Sequence, residues 1–323
     1  MITLPLTDSL DHLRAQLPGV LAEARANSTN KLYANAYKKW KAWTIEHKLS
    51  SALPANPQFV VLYLLHLAQF ALSFSVIKVA YSSLVWAHKL AGFPSPLENS
   101  LVTETLAGLK FRLAKPRQPK TPFTLAHIQE LFEKVEVSNL TDVRNVCFMG
   151  LAFFAFLRFD EVVHIKTGNV TIHKTHVELL VEKAKNDQLR QGNVVVIARR
   201  PRFCPVEILQ LYLQLSQVNK QPCNFLFRRI VLRKGVKMLH DKEEVMKYST
   251  VRDIVKGKAI TLGLNPSEYG THSLRAGGCT TAANSGVSDR LFQRHGRWAS
   301  VAAKDGYVKD SLKARLSVTQ SMF

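Results

Sequence analysis

A few residues in the C-terminal two-thirds of the sequence combine types and spacings suited to chemistry on a phosphate. Arg158 ends the apolar run VCFMGLAFFAFL, and Glu161 stands three positions on. His272 and Arg275 form the string HSLR, and Tyr307 follows Trp298 by nine residues. Arginine offers a planar fork of donors that stays protonated, which suits phosphate oxygens. A phenol becomes a nucleophile once ionised, which at neutral pH costs about 4 kcal/mol from a pKa of about 10. A nearby histidine can take that proton. Singly these residues are ordinary: Arg158 and Glu161 could be a surface i,i+3 pair, and HSLR could flank any helix. Their order and spacing together are not ordinary, and a charge ending an element with no polar face needs a reason.

The composition points the same way. The 323 residues carry 44 Lys+Arg against 24 Asp+Glu, a formal net charge of +20. An excess of that size on a globular chain concentrates polyanions, which makes nucleic acid the leading partner class. Disordered, collagen-like and coiled-coil chains are excluded by the 46% hydrophobic content and ordinary Gly and Pro usage. The most apolar stretch, Phe59 to Leu72, contains His66 and falls short of the roughly 20 residues a membrane helix needs. The segment MITLPLTDSLDHLRAQLPG lacks a basic region followed by an apolar core, so no secretory leader is expected. Cys147, Cys204, Cys223 and Cys279 form no C-x-x-C pair and no metal-ligand spacing with histidine, so neither disulfides nor a zinc site is expected. An intracellular location follows, the nucleus if the source is eukaryotic.

The elements that must position these residues fall into two domains. Residues 1–114 read as a four-helix domain. Its first helix starts at Ser28 as N-cap and repeats Leu32, Ala36, Trp40 and Trp43, with Lys38, Lys39 and Lys41 on the other faces as candidate DNA contacts. Trp40 and Trp43 read as core, with base stacking as the alternative. Pro57 opens a second helix, Val76 to Leu90 forms a third that stops at Gly92, and Val102, Leu106, Leu109 and Leu113 mark a fourth. Residues 115–123 read as a basic, proline-rich linker, KPRQPKTP, whose Lys115, Arg117 and Lys120 could lie along phosphates.

Residues 124–323 read as a second domain, mainly α with a small antiparallel sheet. Thr124 caps a helix with Leu125, Ile128, Leu131 and Phe132 inward, and a helix buried on every side follows over Val146 to Leu157. Strands are expected at Asn169 to His173, His176 to Val181 and Asn193 to Ala198, the last pairing back across the polar turn KNDQ. Further helices are expected from Pro205, over Ser249 to Leu262 with Gly263 as the stop, and from His272 onward. Near the end, Leu312, Leu316 and Val318 share a face of a short helix that could pack in its own domain or on a neighbour.

The ordered set resembles the tyrosine recombinase/integrase family over essentially the whole chain. KNDQ, THSLRAGG and HGRWAS look most like recombinases of eukaryotic mobile elements, the DIRS-like and Crypton-like groups. The resemblance implies an N-terminal core-binding domain and a C-terminal catalytic domain. It implies Tyr307 as nucleophile forming a 3′-phosphotyrosine, Arg158 and Arg275 on the phosphate, and His272 as base. Lys185 would serve as the hairpin acid, with Lys183 the competing choice, Trp298 as an indole donor and Glu161 as an orienting carboxylate. Trp298 stands where the family usually has histidine, and His295 misses the spacing. The resemblance further implies double-stranded DNA as partner and strand exchange in a tetramer on synapsed DNA, with neither metal nor nucleotide cofactor. The sister reading is a type IB topoisomerase-like nicking-closing enzyme, and the alternative of another class is a domesticated DNA-binding protein.

Overall fold

The computed structural model describes residues 10–49, 52–116, 119–182, 192–218 and 224–322. The chain divides into two units, Met1–Gln118 and Pro119–Phe323.

The first unit is helical throughout: α1 (Asp11–Glu23), α2 (Asn27–Glu46), α3 (Pro57–Phe70), α4 (Phe74–Ala91) and α5 (Ser100–Arg112). That is one helix more than the four expected, α1 preceding them. Asn56 accepts from the Gln58 amide while Pro57 fills the first helical position, which needs no donor. Gly92 closes α4 at φ 73. Helix α2 begins before Ser28: the carbonyl of Ala26 already accepts from Thr29 and Asn30, so Ser28 lies inside the first turn. Trp40 is fully buried and Trp43 nearly so, both packed on Tyr63, and the Trp40 indole donates to Ala52 O at 3.0 Å. The tryptophans of α2 therefore face the core, while Lys38, Lys39 and Lys41 are exposed.

The second unit continues with α6 (Leu125–Glu133), α7 (Leu140–Phe154), α8 (Phe159–Val163), β1 (Val170–Ile172), β2 (His176–Val181), β3 (Asn193–Ala198) and α9 (Pro205–Ser216). Then come β4 (Ile230–Arg233), β5 (Val236–Leu239), α10 (Tyr248–Thr261), α11 (Thr271–Asn284), α12 (Asp289–Gly296), α13 (Val301–Asp305) and α14 (Leu312–Gln320). Strands β1, β2 and β3 form an antiparallel sheet in that order, with His176 opposite Ala198 and Val181 opposite Asn193. The β4–β5 hairpin escaped the sequence reading. Its turn, Lys234 at φ 49 and Gly235 at φ 78, carries the two successive left-handed residues that join twisted strands most tightly.

Helix α7 is the centre of this unit, buried on nearly every side as its apolar composition demands. It is packed closely against α11. A Cβ on Gly277 would lie 2.0 Å from Phe123 O, and one on Gly278 2.0 Å from Phe153 O, so only glycine allows the approach. These glycines serve close packing. The last residues of the expected linker belong to this unit as well. Thr121 N donates to Glu268 O, Phe123 N donates to Ser273 O, and Phe123 is fully buried.

Candidate active site

The expected helix over Val146 to Leu157 runs instead from Leu140, capped by Asn139, to Phe154, and the way it stops builds the site. Phe156 adopts the left-handed conformation at φ 48, Phe156 N returns to Phe153 O, and Leu157 N to Ala152 O. This is a helix end usually closed by glycine, and a non-glycine residue there costs about 1–2 kcal/mol. The turn presents the carbonyls of Ala155 and Phe156 to two arginines that arrive from later in the chain. Arg275 Nη1 donates to Phe156 O, and Arg297 donates to Ala155 O at 3.2 Å and Phe156 O at 3.1 Å.

Arg158 follows this turn as the N-cap of α8, where Glu161 reaches back to it. The Arg158 amide donates to Glu161 Oε2 at 2.8 Å, and its guanidinium donates to Oε1 at 2.7 Å. Glu161 is 3% exposed and carries two further cations: Arg297 Nη2 at 2.8 Å and Arg275 Nη1 at 3.6 Å. Burial alone would raise its pKa. The charges of Arg297, Arg275 and Arg158, with the Arg158 amide, outweigh burial and hold the carboxyl below its ordinary value. Three guanidiniums thus share one carboxylate, leaving a surplus of two positive charges in a poorly solvated place. Arg275 is wholly buried, and burial followed by the repulsion of Arg158 pulls its pKa down to about 10, still protonated at neutral pH. Arg158 moves the other way: burial depresses it, but Glu161 and the Tyr307 phenol overcome that and raise it.

Trp298 and Tyr307 close the site. The Arg275 guanidinium lies 4.8 Å from the Trp298 ring centre, and the two rings are 5.8 Å apart. Trp298 is 4% exposed, and its indole Nε1 has no acceptor among the described residues. Tyr307 is half-buried beside Phe156, Cys279, Phe292 and Trp298. The segment after it is tied to α11: Lys309 N donates to Thr280 Oγ1 at 3.1 Å and Ser311 N to Asn284 Oδ1 at 3.2 Å.

Arg158, Glu161, Arg275, Trp298 and Tyr307 are therefore brought together. His272 is exposed in the first turn of α11, one turn before Arg275. His295 is bound to Phe154 O at 2.9 Å, and burial lowers its pKa, so it packs the α7 end. Lys183 and Lys185 lie outside the described residues, as does Arg117. Lys115 and Lys120 are exposed, and Lys120 Nζ donates to Ser267 O at 2.6 Å. Sequence reasoning missed Arg297, which has no partner at helical spacing and is recognisable only once α12 is folded onto α8. Among the described residues, the group that brings three metal-ligating atoms near one another is His173 of the β1–β2 turn with His176 and Glu178 of β2. There the carboxylate lies 3.7 and 3.5 Å from the two imidazoles.

Residues 123–313 match the Phage integrase family. An integrase/recombinase xerD homolog of Selenomonas ruminantium is 25% identical over 296 residues, covering 90% of this chain and 83% of that protein. Recombinase cre of Escherichia phage P1 is 23% identical over 329 residues, covering 95% and 92%. Among solved structures, XerH site-specific recombinase bound to its difH substrate superposes with TM-score 0.57 at 15% identity, over 91% of this chain and 78% of that one. A lambda integrase dimer bound to a COC′ core site gives TM-score 0.56 at 16% identity, over 96% and 97%. No helix among the described residues is long and apolar enough to cross a membrane.

Proposed function

The chain belongs to the phage integrase family, and on that premise we propose that it exchanges DNA strands by a tyrosine-mediated transesterification. Tyr307 attacks the phosphorus, the bond to the 5′-oxygen breaks, and a 3′-phosphotyrosine holds the bond energy until another 5′-hydroxyl reverses the step. The observation that carries this reading is Tyr307 set against Arg275, within a cluster that holds three guanidiniums to one carboxylate. Two surplus positive charges match the charge that gathers on the non-bridging oxygens of a pentavalent phosphorane, in a place where water competes poorly. In this reading Arg158 and Arg275 bind those oxygens and the Trp298 indole donates to one of them. Glu161 orients Arg158, and His272 takes the phenolic proton. A lysine of the β2–β3 connection, Lys185 in our assignment, returns a proton to the leaving 5′-oxygen.

Three finer assignments go with it. Lys38, Lys39, Lys41, Lys115, Arg117 and Lys120 are assigned to the DNA backbone. The active assembly is assigned as a tetramer on two synapsed sites, since exchanging two duplexes takes four cleavages. KNDQ, THSLRAGG and HGRWAS support an origin in a eukaryotic mobile element, which would place the protein in the nucleus.

A library of duplexes with randomised flanks, each carrying a nick that traps the cleaved strand, tests the activity. A recombinase leaves a covalent protein–DNA adduct, enriched for particular flanks and formed equally in EDTA, because protein cations carry the charge. Relaxation of supercoiled plasmid without sequence preference would instead favour the topoisomerase reading. Retention of DNA with no adduct would favour a DNA-binding protein.

A further inference from the structure

Arg297 stands where the backbone favours glycine. It ends α12 in the left-handed conformation, φ 57 and ψ 42, with Arg297 N donating to Arg294 O at 3.1 Å and Trp298 N to Gln293 O at 3.2 Å. This is the same kind of helix end as that of α7, again closed by a residue with a side chain. The preceding Gly296 cannot exchange roles with it, because a Cβ there would lie 1.8 Å from the Trp298 ring. A strained backbone kept at a site is a reason to ask what its side chain does.

The side chain is 3% exposed, and its terminal nitrogens have four acceptors. Nη1 donates to Ala155 O and His295 O, and Nη2 to Phe156 O and Glu161 Oε2. The guanidinium therefore ties the end of α7, the end of α12 and the Glu161 carboxylate into one block, and Trp298 is the next residue. Glu161 Oε2 has two other neighbours, the Arg158 backbone amide at 2.8 Å and the cationic Arg275 Nη1 at 3.6 Å. The latter is too long for a hydrogen bond. Were Arg297 absent, Oε2 could close on Arg275 and draw it from its place beside Tyr307.

We propose that Arg297 is a positioning residue of the active site. By occupying Glu161 Oε2, it fixes the carboxylate so that Oε1 aims Arg158, and it leaves Arg275 facing Trp298 and Tyr307. The proposal rests on the assignment of Arg158 and Arg275 to the phosphate, but not on His272 or the lysine. It makes the carboxylate the shared part through which Arg297 acts.

The test uses Arg297→Lys and Arg297→Gly in the full chain, the glycine variant removing the backbone strain together with the guanidinium. Covalent capture of the nicked library should slow about 10–100-fold, as for a displaced catalytic group, while DNA affinity stays within about twofold. In a Glu161→Gln background, Arg297→Lys should add almost nothing, since the residue it acts through is already altered. The acid limb of the rate profile should move to higher pH in Arg297→Gly, because Glu161 loses a cation. Capture at the wild-type rate in Arg297→Lys, or losses that multiply in the double variant, would overturn the proposal. No adduct from the wild-type protein would sink the recombinase reading instead. In that case the NMR signal of Arg158 Nε–H still decides: order lost in both variants supports the positioning role, and order unchanged overturns it.

Discussion

The Arg275 guanidinium carbon sits 4.9 Å from the centre of the Tyr307 ring. The contact joins the buried cation of α11 to the tyrosine that follows α13, so the ring's place is set by packing and charge together. The phenol is thereby held beside the cations that would receive the phosphate, before any DNA arrives.

Tyr307→Phe should abolish covalent capture of nicked DNA while DNA affinity stays within about twofold, because the ring still covers Arg275 and no charge is removed. A denaturing gel of the trapped complex, beside a gel-shift titration, reads both. Adducts formed at the wild-type rate would remove Tyr307 from the mechanism.

Arg158→Ala should slow cleavage by about 10²-fold or more, the loss of one preorganised donor to developing charge. Folding should survive, since Glu161 keeps Arg297 and Arg275 as partners. Single-turnover cleavage rates beside a thermal melt separate the two effects. A loss below about tenfold would place the phosphate elsewhere.

Stability should fall with acid in two windows. His295 is held below its ordinary 6.5, chiefly by burial, so the unfolded chain takes up a proton that the folded state refuses as the pH drops through that value. Glu161 is held below 4.5 by Arg297, Arg275 and Arg158 against its burial. Its contribution is complete above that value and is lost as the pH falls toward the depressed folded one. Urea midpoints across this range should show both declines, and Glu161→Gln should flatten only the second.

Truncation after Lys309 should leave the melting temperature nearly unchanged but prevent higher assembly on DNA. Leu312, Leu316 and Val318 of α14 are 69%, 45% and 59% exposed, so the helix buries little against its own unit. Sizing of DNA complexes reads the outcome. An unfolded truncated protein, or unchanged assembly, would refute docking on a neighbour.

Much of the architecture is written locally. Thr124 and His127 make reciprocal caps, Pro57 and Pro205 sit where a helix needs no donor, and Gly92 and Gly263 stop helices at positive φ. The alternation of β2 and β3 marks strands buried on one face. The order Arg158, Glu161, His272, Arg275, Trp298 and Tyr307 was also legible, because chemistry needs those residue types and a fold of this kind keeps their order. Where α7 stops was not. Phe156 turns left-handed although nothing in its side chain favours that, because its carbonyl is bound by Arg275 and Arg297, more than a hundred residues later. Arg297 itself gives no local signal, since its partner Glu161 lies 136 residues away and both are desolvated only when α12 meets α8. Sequence periodicity records what a residue does within its own helix. The sharing of one buried carboxylate by three arginines depends on long-range Coulomb forces and packing, which exist only once the chain has closed around it.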